Sequence, residues 1–315
     1  GYSTELIATE AINIIKNKDQ NRPLFLYVAF NAPHTPIEAP IELINEFTDI
    51  ENEKDRVYAA NVSALDTEIG RIIKAIEQEG ILEETIILFF SDNGPVFDID
   101  PIAQVIAPNL INAKGSTAGL RGSKTSTFEG GIRVPAVIWW KGVIEKAKSD
   151  QFFFVQDILP TLLRASNVNV AETIKFDGKD KWLNLLENKI VPPKNAFIGA
   201  RLIADERALF NGKWKLRWTK PQLIPVSASY SLFDILEDPY EKNDLSEEHP
   251  QVVDAMKKTL TSFIERDVVG DMNPAHAYLH GDDRQGGVAL GSPWLDGDYE
   301  PVSYTHLTLP TTLSV

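Results

Sequence analysis

The chain has 315 residues, 43% of them hydrophobic and 24% charged, which is the composition of a globular protein with one large or two smaller domains. Its net charge of −14 and its lack of any lysine or arginine run argue against nucleic acid as a partner, because binding phosphates requires a basic face. The absence of cysteine excludes disulfides and thiolate metal sites within the sequence, and no apolar run reaches the roughly 20 residues that span a membrane.

Helical patterns alternate with apolar runs in the N-terminal part of the chain. Apolar residues at helical spacing predict helices over residues 4–17, 58–78 and 157–165, and Gly80 is a suitable cap for the second. The runs that predict strands are residues 23–30, 85–90 and 134–140, of which the first two look covered on both faces, as in parallel sheets. This alternation predicts an α/β fold with a mixed, largely parallel sheet flanked by helices.

Shorter, alternating segments follow residues 191–193. Asn211-Gly212 between apolar flanks predicts a β-hairpin over residues 208–218, followed by a strand at 230–235. A helical pattern covers residues 251–266. These segments predict a small antiparallel sheet with one packed helix.

The organisation predicted from these patterns has three parts. Residues 1–192 form an α/β domain, and residues 193–300 form a small C-terminal α+β domain with a loop-rich tail. Residues 301–315 carry no charged side chain and resemble a translated adapter, so we exclude this non-native-looking tail from the fold prediction.

Polar side chains follow the first two predicted strands. Asp92 and Asn93 come directly after residues 85–90, and His34 follows residues 23–30. Ligands of open α/β sheets collect at the carboxyl ends of strands, and a carboxylate beside a carboxamide suits Ca²⁺ or Mg²⁺. Spacing alone favours an ordinary turn at Ser91-Asp92-Asn93-Gly94, and a lone histidine is more often structural than functional.

Residues 119–135, called the site loop below, mix glycines with cations. Lys124 supplies a compact positive charge that can contact several oxygens of an oxyanion. The spacing is not that of a phosphate-binding P-loop. On the sequence pattern alone, a solvated basic loop and a sulfate or phosphate clamp remain equal alternatives.

Five segments together resemble the sulfatase family of the alkaline-phosphatase superfamily. They are residues 24–36, 58–94, 120–135, 157–163 and 232–245. Three C-terminal segments are most similar to the arylsulfatase B (N-acetylgalactosamine-4-sulfatase) branch. They are Trp214-Lys215-Leu216, residues 232–235 with Asp238-Pro239, and residues 291–294.

The resemblance implies a role for each candidate residue. Asp92 and Asn93 would ligate calcium, and Lys124 and His34 would contact the sulfate as catalytic residues. The parent enzyme would hydrolyse sulfate esters of carbohydrates or aryl compounds, in the periplasm, outside the cell or in a lysosome-like compartment. No membrane span is expected.

The family also carries residues that are not recognisable in this sequence. A Cys/Ser-X-Pro-X-Arg motif, oxidised to formylglycine, and a pair of adjacent aspartates for the metal are expected upstream, with the N-terminal strands of the sheet. The adjacent pair Asp282-Asp283 is interpreted as solvated loop because no buried strand precedes it. The chain is therefore expected to be a C-terminal part of a sulfatase that is inactive alone.

Two other functions remain open from the sequence. One is hydrolysis of phosphodiesters or phosphonate monoesters by a related pocket of the same superfamily. The other is nonenzymatic binding of sulfated glycans. In the sulfatase interpretation, the insertion at residues 96–115 is expected to shape the mouth of the cleft.

Overall fold

The computed structural model describes residues 1–96, 115–171, 173–201, 204–221, 225–266 and 313–314. Most of the predicted insertion, Asp282-Asp283, and the C-terminal tail apart from residues 313–314 lie outside the described residues. The helices, in chain order, are α1 (Ser3–Lys16), α2 (Ile41–Ile44), α3 (Glu53–Gln78), α4 (Glu129–Ile132), α5 (Ile158–Ala165), α6 (Trp182–Leu186) and α7 (Pro250–Arg266). The strands are β1 (Thr85–Phe90), β2 (Ala136–Trp140), β3 (Lys194–Arg201), β4 (Ala204–Asn211), β5 (Trp214–Pro221), β6 (Ser229–Asp234) and β7 (Leu313–Ser314).

The first sheet has the order β2-β1-β7 and carries helices on both faces. Strands β1 and β2 pair antiparallel from Ile86 opposite Trp140 to Phe90 opposite Ala136. Helices α1 and α3 cover one face, where the apolar cluster includes Ile87 and Trp139. Helices α5 and α6 cover the other face and pack on Ile86. Strand β7 pairs antiparallel with the other edge of β1.

The α/β class is confirmed, but the pairing differs from the largely parallel sheet that the sequence predicts. Every strand pair in the described part of the chain is antiparallel. The reason lies in the connection between β1 and β2. The chain leaves β1 at Phe90, folds into the site loop and returns as β2 from the same end, so the two strands must run in opposite directions.

The strand predicted at residues 23–30 is wrong in its detail. The backbone of this segment shows only a single bridge, at Phe25, instead of a ladder. Leu24, Leu26, Val28 and Phe30 belong to the core cluster beneath α1 and α3. The alternate side chains Phe25 and Tyr27 are 56% and 47% exposed. Among the described residues, therefore, only one face of this segment is covered.

The second sheet is a four-stranded antiparallel meander in the order β3-β4-β5-β6. The predicted hairpin is confirmed, since Asn211 pairs with Trp214 and Gly212 has a φ of 64°, a left-handed conformation that glycine adopts without strain. Helix α7 covers one face of the sheet through Val253, Met256 and Leu260. The other face packs against Phe128 and Ile132 of the site loop.

None of the helices among the described residues combines the length and the apolar composition that crossing a membrane requires.

Candidate functional site

The predicted metal ligands follow β1 directly, at the end of the strand where β2 begins. The Ser91 backbone N–H donates to the carbonyl of Pro135 at 3.3 Å, which continues the pairing of β1 with β2 by one residue. The Ser91 hydroxyl donates to the carbonyl of Asn93 at 3.0 Å. The Asn93 Nδ2 donates to the carbonyl of Gly94 at 2.9 Å, which leaves the amide oxygen of Asn93 as the available acceptor. Asp92 is exposed.

Two backbone hydrogen bonds join this turn to the site loop. The Gly94 N–H donates to the carbonyl of Gly131 at 2.8 Å, and the Lys124 N–H donates to the carbonyl of Pro95 at 2.9 Å. Residues 91–95 and the site loop therefore run side by side. The predicted metal ligands and the predicted sulfate-binding lysine lie on these two adjoining segments.

Glycine is required at this junction because the backbones approach too closely for a side chain. A Cβ on Gly94 would lie 1.9 Å from the carbonyl oxygen of Gly130. A Cβ on Gly130 would meet the carbonyl of Gly122 at 2.4 Å, and one on Gly131 would meet that of Ser126 at 2.2 Å. The glycine of the predicted turn thus serves close packing of two loops rather than a left-handed backbone conformation.

Lys124 lies in a strained part of the site loop. Its side chain is half-buried, and within the described ranges its ammonium group has no hydrogen bond or ion pair. The next residue, Thr125, has a φ of 75°, a conformation that is rare for a β-branched residue. Strain of this kind costs about 1–3 kcal/mol and persists only where the surroundings hold it.

His34 is exposed, and its Nδ1 lies 2.8 Å from the carbonyl of Thr35. In the described part of the chain, no hydrogen bond or ion pair connects it to the two other predicted sites. The structure therefore brings Asp92, Asn93 and Lys124 onto adjoining segments but does not tie His34 to them.

The donor set at this turn fits a hard divalent cation only in part. The Asp92 carboxylate and the Asn93 amide oxygen are hard oxygen ligands of the kind that Ca²⁺ and Mg²⁺ prefer. Calcium needs six to eight ligands. Among the described residues, no group of three or more His, Cys, Asp or Glu side chains could hold a metal ion. Further ligands must complete the shell.

A cluster of buried ions, formed by Glu129, Lys215 and Glu241, lies beneath the site loop. The Lys215 Nζ donates to Glu129 Oε1 at 2.7 Å and lies 2.8 Å from Glu241 Oε1. This second contact is an ion pair without hydrogen-bond geometry. The Glu129 N–H donates to Glu241 Oε2 at 2.6 Å. This ion cluster joins α4 to β5 and to the segment after β6.

Burial governs the protonation of the ion cluster. Lys215 and Glu241 are both fully buried. Burial raises the pKa of Glu241, and the charge of Lys215 opposes that rise. Glu241 also has a φ of 55°, so the backbone at this carboxylate is strained as well.

A second buried pair holds the site loop a few residues earlier. The Arg217 Nη2 donates to Glu206 Oε2 at 2.6 Å, and the Arg217 Nε donates to the Thr127 hydroxyl at 3.1 Å. The same carboxylate oxygen accepts from the Thr127 N–H at 2.8 Å. The Arg217 guanidinium carbon lies 3.3 Å from the centroid of the Phe128 ring. Burial lowers the pKa of Arg217, and Glu206 opposes that change.

An open cavity of about 450 Å³ adjoins the start of the site loop. Its described lining is Gly115, Ser116, Thr117, Gly119, Leu120, Arg121 and Gly122. A Cβ on Gly115 would lie 2.3 Å from the Cβ of Pro95, so the predicted insertion leaves and rejoins the described structure beside the metal-ligand turn.

The sequence gives little indication of the ion cluster. Lys215 lies within the strand pattern Trp-Lys-Leu-Arg-Trp, where alternation suggests that one face of β5 meets solvent. In the structure both faces are covered, one by α7 and the other by the site loop. The one signal was that Lys215 belongs to a segment that resembles the sulfatase family.

Comparison with known proteins identifies the family. The family model described as Sulfatase matches residues 1–168, more than half of the chain. Arylsulfatase J of Mus musculus is 29% identical over 308 residues, covering 83% of this chain and 48% of that protein. N-acetylgalactosamine-6-O-sulfatase of Bacteroides thetaiotaomicron is 27% identical over 263 residues, covering 80% of this chain and 49% of that protein.

A solved structure also matches. The crystal structure of Ps i-CgsB in complex with k-i-k-neocarrahexaose has a TM-score of 0.69 at 27% identity, covering 83% of this chain and 55% of that chain. The chain spans about half the length of the curated relatives that it matches. The family model covers more than half of the chain, and the chain belongs to the sulfatase family within the alkaline-phosphatase superfamily.

Proposed function

We propose that this chain is the C-terminal part of a sulfuric ester hydrolase that acts on sulfated carbohydrates or aryl sulfates. The observation that carries the proposal is the pair of backbone hydrogen bonds that places Lys124 beside the Asp92-Asn93 turn. The Lys124 ammonium group has no ion pair among the described residues. Its segment lies next to the one that carries two hard oxygen ligands. Relatives named as N-acetylgalactosamine-6-O-sulfatase and arylsulfatase J support this substrate class.

Each site residue has a proposed role in binding or proton transfer. Lys124 contacts the sulfate oxygens and neutralises part of their charge. Asp92 and Asn93 would hold Ca²⁺, or Mg²⁺, which would supply positive charge to offset that of the sulfate. His34 donates a proton to the departing alkoxide.

The remaining parts of the proposal concern the longer protein. Its formylglycine and further metal ligands lie outside this sequence, which has no cysteine and no recognisable Cys/Ser-X-Pro-X-Arg segment. We place the protein in the periplasm, outside the cell or in a lysosome-like compartment. We place residues 1–192 in its catalytic domain and residues 193–300 in a C-terminal domain, with greatest similarity to the arylsulfatase B branch.

The test uses a protein that joins this chain to an upstream segment with the nucleophile motif. We expect hydrolysis of an aryl sulfate, and we expect Lys124→Met to lower kcat/KM by about 10²–10³-fold, the usual loss when one charge-stabilising group is removed. Lys141→Met is the matched control, because Lys141 makes an exposed ion pair with Glu83 at 3.1 Å, outside the site.

Two outcomes would contradict the proposal. One is an unchanged kcat/KM in Lys124→Met. The other is turnover of an aryl phosphodiester, but not of the aryl sulfate, which would assign the phosphodiester or phosphonate alternative. Binding of sulfated glycan without turnover of either ester would favour the nonenzymatic function.

A further inference from the structure

The ion cluster of Glu129, Lys215 and Glu241 connects parts of the chain that are far apart in sequence. Lys215 is 86 residues from Glu129, and Glu241 is 112 residues from it. All three side chains are buried, and one ammonium group contacts both carboxylates. The C-terminal sheet thereby holds α4, a single turn at the end of the site loop.

Stability alone is a poor explanation for such a cluster. Desolvation of buried ions offsets most of their attraction, and apolar side chains of similar volume often stabilise a core equally well. What buried ions add is direction, because hydrogen bonds to a charged group fix distance and angle. In this case they fix the position of the Glu129 backbone relative to β5.

Short connections lead from Glu129 to the proposed site. Gly131, two residues later, accepts the hydrogen bond from Gly94, next to Asn93. The Gly130 N–H donates to the carbonyl of Arg121 at 2.7 Å, which closes the base of the loop that carries Lys124. A displacement of Glu129 would therefore move both segments that carry the site residues.

A second attachment to the same sheet lies three residues after Lys124. Thr127 is fixed by Glu206 and Arg217, which belong to β4 and β5. Thr125, whose left-handed backbone needs support from its surroundings, lies two residues before this attachment. The C-terminal sheet therefore holds the chain that directly follows the strained residue.

We propose that Glu129, Lys215 and Glu241 are positioning residues that set the placement of Lys124 and of the Asp92-Asn93 turn through the backbone of the site loop. The proposal rests on the proposed function in assigning sulfate binding to Lys124. It makes the C-terminal sheet a structural part of the active site rather than an appended domain.

The experiment measures hydrogen exchange of individual amides in this chain by NMR. Lys215→Met removes the shared cation, and Glu241→Gln removes one charge while keeping an acceptor for the Glu129 N–H. We expect both substitutions to speed exchange of the Gly94 and Lys124 amides by at least about tenfold, with exchange in the middle of α1 unchanged.

Lys213→Met is the matched control. Lys213 lies two residues from Lys215 and pairs with Asp234 at 2.5 Å, but its side chain is 49% exposed. This variant should leave the Gly94 and Lys124 amides unaffected. If Lys215→Met does not fold, Glu241→Gln decides, because it retains the pair between Lys215 and Glu129.

The proposal is overturned if exchange at Gly94 and Lys124 is unchanged in a folded variant, or if it rises only in step with exchange in α1. The second result would mean a general loss of stability. Failure of the proposed function is separate: absence of aryl sulfate turnover in the longer protein would remove the sulfate role but leave accelerated exchange as proof of positioning.

Discussion

Gly94 shows how a single residue without a side chain joins the two halves of the proposed site. Its amide bonds to Gly131, and the Gly130 carbonyl occupies the space where a Cβ would lie. On the sequence pattern alone, Gly94 is predicted to be part of a turn, since Asp, Asn and Gly dominate turns. The close approach of a second loop is visible only when residues 36 positions apart are brought together.

We expect Gly94→Ala to destabilise the protein by about 2–4 kcal/mol, because the contact is with backbone that cannot rotate away. Urea denaturation measures the change. Gly70→Ala is the control, since Gly70 is exposed in α3 and a Cβ there meets nothing within 4 Å. That substitution should stabilise by about 0.5–1 kcal/mol, as alanine does in helices. Equal effects at the two positions would refute the close-packing argument.

Asp92 and Asn93 supply too few ligands for tight metal binding on their own. We expect this chain to bind Ca²⁺ only weakly, and Asp92→Ala to abolish that binding, as measured by isothermal titration calorimetry. Asp150→Ala, an exposed aspartate elsewhere in the chain, serves as the control. A submicromolar affinity would show that the described donors already form a complete site.

At the scale of elements, helices and strands are predicted best where burial of their apolar faces determines them. Sequence patterns predict β1 at the residues observed, and they predict α7 to within one residue, because burial of one or two apolar faces determines both. Helix α3 starts five residues earlier than predicted, since Asn52 caps it by accepting from the Lys54 and Asp55 amides. Strand β3 was missed, and its pairing with β4 contains a bulge near Asn195.

The candidate site could be predicted from the sequence only at residues that lie within short motifs. Asp92, Asn93 and Lys124 lie within short motifs, whereas Lys215 and Glu241 act through contacts across 86 or more residues. Periodicity shows that a strand has an apolar face, but it does not show what covers the opposite one. The sequence pattern therefore predicts that the charged face of β5 is exposed to solvent, although the site loop covers that face in the structure.

The raised pKa of Glu241 makes the ion cluster sensitive to pH. A carboxyl that binds its proton more tightly in the folded protein stabilises it fully below the ordinary pKa of about 4.5. That contribution is lost as pH rises through the raised value. Lys215 faces this carboxyl and opposes the rise, while the nearby charge of Glu129 adds to it.

Glu241→Gln isolates this effect because glutamine does not titrate. We expect the stability of the native protein, relative to this variant, to fall as pH rises above about 4.5, because burial raises the pKa of Glu241 in the folded protein. Urea denaturation at several pH values measures the difference. A difference that stays constant or grows with pH would contradict the assignment.

At the scale of the whole molecule, the two sheets share the site loop between them. Phe128 and Ile132 pack into the core of the second sheet, while Gly131 is bonded to the end of the first. The C-terminal sheet lies between this loop and α7. The packing therefore couples the α/β layer to the C-terminal sheet through the site loop and through Phe152 and Phe154.

We expect Leu260→Ala, which creates a cavity under α7, to cost about 2–5 kcal/mol and to lower the opening free energies of β5 and β1 amides equally. Hydrogen exchange at increasing urea concentrations measures both. Asp254→Ala, exposed on the same helix, is the control. Loss of protection in β5 with full protection in β1 would show that the two parts unfold independently.

The long separations within the ion cluster also bear on the order in which the molecule can be assembled during synthesis. Glu129 is made 112 residues before Glu241, which at roughly 5–20 residues per second is on the order of 6 to 22 seconds. During that interval the elements near the N-terminus can make many of their contacts, since α1, α3 and β2 are synthesised before Glu241. The loop that carries Lys124 has to wait for its support, so it takes its final shape later than these elements.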